Sequence, residues 1–266
     1  MAGTAARTEY GDRDLALSGE ILRTVVGSGV HGIAIEGTDD HDEMGVFVEP
    51  PQHVVGIGMP FDHYVFRTQP EGSRSGPGDT DLVSYSLRKY LRLAAKGNPT
   101  VLLPLYAPAA DVVVLTELGT ELRALGPAVL SRRAVRRFLG YMDSQRGRLL
   151  GHGPRRHMPN RPELVARYGY DVKYASHALR LAYQGREIAR DAQLTLPMPD
   201  RERERVLQVK RGDVPVLGDV LTEIAAVQRQ TEELLETGRT PLRAEPDLDA
   251  VGEWCIRAHQ RHWGWE

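Results

Sequence analysis

Val25-Val26-Gly27-Ser28-Gly29-Val30-His31-Gly32, followed by Thr38-Asp39-Asp40-His41-Asp42-Glu43-Met44-Gly45-Val46-Phe47-Val48, is the stretch that decides the architecture of the first half of the chain. An apolar strand, Thr24 to Gly27, runs into a Gly-Ser turn. A second strand, Asp40 to Glu49, opens with two carboxylates one residue apart. Alternate residues of a strand face the same side, so Asp40 and Asp42 point at one place. Paired carboxylates there suit a hard divalent cation, which takes oxygen ligands and keeps positions for a phosphate. The Gly27-Ser28 turn offers backbone N–H groups and a hydroxyl to an anion. Phosphoryl-type transfer needs these parts side by side. The plain alternative is a solvated acidic turn, but five acids between Glu36 and Glu43 repel one another unless a cation joins them.

Working outward, residues 12 to 23 read as a helix with Leu15, Leu17, Ile21 and Leu22 on a partly apolar face. Gly29 to Ile35 reads as a short helix or turn, and Pro50-Pro51 ends the second strand. His53 to Gly58 and His63 to Arg67 read as further strands, Gly72 to Gly78 as a plain Gly/Ser/Pro loop, and Thr80 to Ser84 as another strand. Leu87, Tyr90, Leu91, Leu93 and Ala94 mark an amphipathic helix that stops at Gly97. Beyond a composition shift near 110–130 the chain turns helical: Ser131 to Leu150, Pro162 to Ala189, Asp200 to Arg211, Leu217 to Glu236 and Asp247 to His262. The expectation is an α+β fold, with a mixed α/β unit over 1–115 and a helical domain over 116–266.

Composition excludes several classes. At 266 residues with 41% hydrophobic and 26% charged content, the chain carries enough apolar side chains for a real core. No apolar run approaches the ~20 residues of a membrane span. Cys255 is the only cysteine, so no internal disulfide forms, and residues 1–14 lack a signal-peptide core. A cytoplasmic location with no membrane partner is expected. Net charge is −2, yet residues 131 to 167 hold ten arginines, among them Arg132, Arg133, Arg136, Arg137, Arg155 and Arg156, against only Asp143 and Glu163. Such asymmetry reads as a polyanion groove, or else as a solvated basic helix. Lys173, His177 and Arg180 fall at i, i+4 and i+7, one helix face suited to phosphates; surface charge is the plainer account.

The hydrophobic-Gly-Ser turn, the gap, and the Asp-x-Asp strand together resemble the DNA polymerase beta superfamily of nucleotidyltransferases. More narrowly, the chain resembles the predicted nucleotidyltransferase branch associated with RNA repair gene sets. Asp40 to Val48 resembles that branch's Ser-Asp-x-Asp-x-x-Gly-Val segment. Asp81 to Tyr90, running to Lys96-Gly97-Asn98-Pro99, resembles its next block, and Tyr170 to Leu181 its helical block. The likeness spans roughly residues 20 to 260. Three departures stand out: Asp39 replaces the usual Ser, His31 the usual aromatic, and Leu103-Pro104 interrupts the last part of the second block.

The resemblance implies a polymerase-beta-like catalytic domain followed by a helical domain completing the nucleotide and acceptor cleft. It implies Mg²⁺ or Mn²⁺, two ions, held by Asp40, Asp42 and a third carboxylate. Asp81 is preferred for that role, with Asp79 the rival. It further implies a nucleoside triphosphate whose phosphates meet Gly27, Ser28, Lys89, Lys173, His177 and Arg180, with Arg88 as the alternative to Lys89. The activity expected is transfer of a nucleoside monophosphate to an acceptor hydroxyl, an RNA end by preference. A protein or small-molecule acceptor, and a non-catalytic nucleotide- or RNA-binding homologue, stand as alternatives. The base, the number of additions and the oligomeric state are left open.

Overall fold

A computed structural model describes residues 7–37, 40–73, 75–152 and 161–265. The first half builds a sheet. Strand β1 (Thr8–Tyr10) leads into helix α1 (Arg13–Ser18), strand β2 (Glu20–Val25) and the single turn α2 (Gly27–Val30). Then come β3 (His41–Phe47), α3 (Pro51–Val54), β4 (His63–Arg67), β5 (Thr80–Ser86) and α4 (Leu87–Ala95). Helix α5 (Leu103–Tyr106), strand β6 (Val112–Leu115), and helices α6 (Glu117–Ala124) and α7 (Gly126–Val129) follow. The six strands order as β1-β4-β5-β3-β2-β6. Among the described residues only β3 and β5 run parallel; their neighbours pair antiparallel, so the sheet is mixed and the fold α+β as expected. Ala16, Phe47, Tyr64 and Leu82 form a buried cluster, with Leu15, Phe61 and Phe66 packed on it.

The helical half holds α8 (Arg132–Leu149), α9 (Pro162–Tyr168), α10 (Val172–Asp191), α11 (Asp200–Arg211), α12 (Leu217–Glu236) and α13 (Leu248–Trp263). Helix α10 packs against α8, α11 and α12 and buries Ala175, Ala178, Leu179 and Ala182. Small side chains let neighbouring helix axes approach closely. No helix among the described residues is long and apolar enough to cross a membrane.

Contacts divide the chain into two compact units: Met1–Ala95 with Thr100–Val129 and Asp247–Glu266, and Lys96–Pro99 with Leu130–Pro246. This division does not follow a 115/116 boundary, because α6, α7 and α13 pack in the first unit. Trp254 Nε1 donates to Glu121 Oε2 at 2.9 Å, and the Asp247 N–H donates to the Ala128 carbonyl at 2.8 Å. The buried pair His259 Nε2 and Glu49 Oε2, at 3.2 Å, ties α13 to the segment after β3.

Three local expectations are corrected. Residues 12 to 23 are not one helix: α1 ends at Ser18 and β2 begins at Glu20. Gly19 forms the joint, since a Cβ there would lie 2.5 Å from the Val48 carbonyl oxygen. His53 to Gly58 is not a strand: Pro51, preorganised for a first helical turn, starts α3 there. Pro162 to Ala189 splits into α9 and α10, because Gly169 takes a left-handed conformation (φ 81) and Asp171 caps the next helix.

Candidate functional site

Parallel pairing of β3 and β5 places Asp42 directly beside Asp81 in register. Asp40 immediately precedes β3, two residues from Asp42, so period-two alternation turns it the same way. One carboxylate oxygen from each of Asp40, Asp42 and Asp81 lies within 4.8 Å of the other two, and all three side chains are half-buried. Asp79 is engaged elsewhere. Its carboxylate accepts from Thr68 Oγ1 and from the Gly76 N–H, both at 2.9 Å, and its carbonyl accepts from the His41 N–H. It is Asp81, not Asp79, that the fold brings to Asp40 and Asp42.

The Gly27-Ser28 turn lies against this cluster. The Val26 N–H donates to the Asp42 carbonyl at 2.8 Å, which fixes the end of β2 beside the start of β3. Gly27 adopts φ +66, and a Cβ on it would fall 2.2 Å from Asp42 Oδ2. Glycine is required twice over, for the left-handed backbone and for room. Ser28 sits in the same turn, half-buried.

Three further side chains touch the third carboxylate. Gln69 Nε2 donates to Asp81 Oδ1 at 2.8 Å and Ser75 Oγ to Asp81 Oδ2 at 2.9 Å. Arg67 Nε stands 3.8 Å from Oδ2, on the residue of β4 that pairs with Asp81. Sequence reasoning passed over all three. Arg67 was reachable in principle, since it lies in a strand already recognised. Gln69 and Ser75 lie in or next to a loop whose composition speaks only of turns.

The cationic candidates are spread over both units. In the first, Lys89 Nζ pairs with Asp62 Oδ2 at 3.1 Å; both side chains are partly exposed, so the pair is weak and exchangeable. In the second, Lys173, His177 and Arg180 share α10. Burial, then the charges of Arg180, Lys173, Lys210 and Arg161, hold the His177 imidazole well below its ordinary pKa, so at neutral pH it is an uncharged donor. Burial brings the Arg180 guanidinium down to about 10, still a cation at pH 7. The buried Asp171 carboxylate caps α10 by accepting from the Lys173 and Tyr174 N–H groups.

Several arginines of the basic stretch have partners inside the second unit. Arg132 Nε donates to the Leu242 carbonyl, Arg133 pairs with Glu245, and Arg137 lies over the Tyr141 ring. Arg146 pairs with Asp143, and Arg161 stands 3.8 Å from Asp171. Arg133, Arg136 and Arg137 are exposed on α8. Arg155 and Arg156 lie outside the described residues.

The ligand atoms that Asp40, Asp42 and Asp81 offer are all carboxylate oxygens, and three carboxylates this close fit a hard divalent cation better than they fit one another. Comparison with known proteins agrees in kind. The family model RlaP, described as the RNA repair pathway DNA polymerase beta family, matches residues 19–252. A solved nucleotidyltransferase-like protein from Exiguobacterium sibiricum matches at 12% identity over 93% of this chain and 76% of that one, with a TM-score of 0.26. At that score the likeness adds nothing to the family match. Among curated proteins none matches.

Proposed function

The chain belongs to the RNA repair pathway DNA polymerase beta family of nucleotidyltransferases, and on that premise we propose that it transfers a nucleoside monophosphate from an NTP to the hydroxyl of an RNA end. The acceptor oxygen attacks the α-phosphorus as its proton passes through Asp81 to solvent, the bond to the β-phosphate oxygen breaks, and pyrophosphate leaves. The observation that carries this reading is the convergence of Asp40, Asp42 and Asp81 beside the Gly27-Ser28 turn. These three carboxylates would hold Mg²⁺ or Mn²⁺, two ions in the proposal. When bound, the metal supplies charge neutralisation for the phosphates and the reacting oxygens.

The remaining work falls to the chain itself. The Ser28 hydroxyl and the N–H groups of its turn hold the β- and γ-phosphates. Asp81 accepts the hydrogen bond of the attacking hydroxyl and orients it. Lys89 exchanges Asp62 for a phosphate oxygen. Within the second unit, Lys173 and Arg180 offer positive charge, and neutral His177 a hydrogen bond, to an anion. Catalysis of this kind is mostly positioning and electrostatic stabilisation.

The internal partners of Arg132, Arg133, Arg146 and Arg161 favour a second reading, in which the same chemistry serves a protein or small-molecule acceptor. One experiment separates the two readings, and also separates both from a non-catalytic binding homologue. The protein is incubated with each α-labelled NTP, Mg²⁺ or Mn²⁺, and total RNA and protein. Label on RNA supports the first reading, label on protein or a small molecule the second. No metal-dependent turnover of any NTP removes the enzyme.

A further inference from the structure

The Asp81 carboxylate is gripped on the side of β4. A carboxylate on a short side chain turns readily about its last bond, because that torsion is broad and lacks sharp staggered wells. Packing or hydrogen bonds must therefore choose its direction. Here the amide of Gln69 takes Oδ1 at 2.8 Å and the hydroxyl of Ser75 takes Oδ2 at 2.9 Å. Gln69 is itself fixed. It is 6% exposed, its Nε2 also reaches Ser75 Oγ at 2.5 Å, and its backbone carbonyl accepts from Thr8 Oγ1 of β1 at 2.9 Å. The grip thus runs from the edge strand through Gln69 to the carboxylate.

We propose that Gln69, assisted by Ser75, is the positioning residue that aims the Asp81 carboxylate at Asp40 and Asp42. The inference rests on the transfer function proposed above. A carboxylate offers about four lone-pair directions. Gln69 and Ser75 occupy two, leaving the others for a cation or a hydroxyl. Both donors are neutral, so they orient the carboxylate without cancelling the charge that a cation needs. Arg67, the charged neighbour, stands back at 3.8 Å. Partners that orient a metal-binding group in this way change affinity or activity by about 10–100-fold when removed.

The test uses the full-length chain. Gln69→Met keeps length and volume but removes the donor, and Ser75→Ala removes the second donor. Three quantities are measured for each: Mn²⁺ affinity from the electron paramagnetic resonance of free Mn²⁺, kcat and KM for the NTP, and the unfolding midpoint. Gln69→Met is expected to weaken Mn²⁺ binding and lower kcat by about 10–100-fold with KM for the NTP unchanged. Ser75→Ala should shift the same two quantities, by less. A purely structural role would move the unfolding midpoint but not the split between kcat and KM. Wild-type Mn²⁺ affinity and kcat in Gln69→Met overturn the proposal. Should that variant not fold, the same result in Ser75→Ala overturns it. Asp42→Asn runs alongside. If it loses Mn²⁺ and transfer while Gln69→Met behaves as wild type, only the positioning role falls. If it keeps both, the acidic cluster is not the site of transfer, and the positioning role falls with that assignment.

Discussion

Gly27 stands so close to Asp42 that a methyl group on its Cα would lie 2.2 Å from Oδ2, 3.0 Å from Cγ and 3.1 Å from Cβ of that residue. The turn and the carboxylate therefore share one volume, and neither can change without the other. This contact predicts an unusual division of effects for Gly27→Ala. The left-handed backbone (φ +66) costs an alanine about 1–2 kcal/mol. The new methyl also pushes the Asp42 side chain aside, which is cheap for folding because that side chain can rotate, and damaging for its direction. Thermal unfolding should show a modest loss, while Mn²⁺ binding and nucleotide transfer collapse. A variant that loses stability yet binds Mn²⁺ as the wild type does would show that Asp42 takes no part in the site.

Asp40→Asn and Asp42→Asn test the cluster directly. Each keeps shape and removes a negative ligand. Transfer should fall by about 10³-fold or more, several kcal/mol of lost charge stabilisation, while the unfolding midpoint holds or rises as like charges are separated. Near wild-type turnover at ordinary Mg²⁺ in either variant would take that residue out of the ligand set.

Asp79 and Asp81 offer a sharper contrast, since they differ by two residues and by everything they touch. Asp81→Asn should lower kcat by about 10²–10⁴-fold with little change in NTP binding, as expected for a group acting on the attacking hydroxyl. Asp79→Asn disturbs only the turn that Thr68 and Gly76 close, and should cost about 1 kcal/mol or less of stability with transfer intact. Steady-state kinetics on both variants decide between them; the reverse order would move the role to Asp79.

The acidic pair was legible because a strand has period two: once Asp40 to Glu49 is a strand, Asp40 and Asp42 must share a face. Asp81 needed a tertiary fact, the parallel register of β3 and β5, which no local pattern carries. The same limit hid Gln69 and Ser75. The misread helix over 12–23 has a physical cause. Leu15, Leu17, Ile21 and Leu22 satisfy a helical spacing by accident, while the packing of Gly19 on Val48 breaks the helix. The division at Gly169 and Asp171 was present in the letters, a glycine stop followed by an aspartate cap, and was outweighed by the long apolar periodicity around it. Nothing near residue 247 announces that α13 belongs with the sheet, because its anchor, Glu49, lies 210 positions away.

That anchor sets a pH dependence. Burial pulls the His259 imidazole down, but hydrogen bonds to Cys255 and Glu49 outweigh it and carry the pKa up to about 10. A folded pKa above the unfolded value of about 6.5 means stabilisation that is full below that pH and is lost as pH rises toward 10. Neighbouring His262 shifts the other way, lowered by burial and then by the charge of His259. Urea unfolding of wild type and His259→Gln between pH 6.5 and 10 isolates the first effect. Wild type should lose up to about 1.4 kcal/mol per pH unit relative to the variant. Parallel curves would mean that His259 is neutral in the fold.

The basic stretch remains the sharpest test of the acceptor. If RNA lies on α8, binding must weaken with salt, because each phosphate contact releases counterions and a single strand gives a slope of about −0.7 per contact in log K against log salt. Arg133, Arg136 and Arg137 are exposed, whereas Arg132 also holds the Leu242 carbonyl. Changing Arg132, Arg133, Arg136 and Arg137 to Gln keeps helix propensity close, so a flatter slope reports lost charge and not a lost helix. Losing the Arg132 contact should lower stability by about 1 kcal/mol, visible separately in the unfolding midpoint. RNA affinity is measured at two salt concentrations for wild type and the quadruple variant, with self-labelling by NTP as the control for an intact catalytic unit. The expected outcome is a flatter slope, reduced labelling of RNA and preserved self-labelling. Identical slopes would remove α8 from the RNA site and turn the acceptor toward a protein or a small molecule.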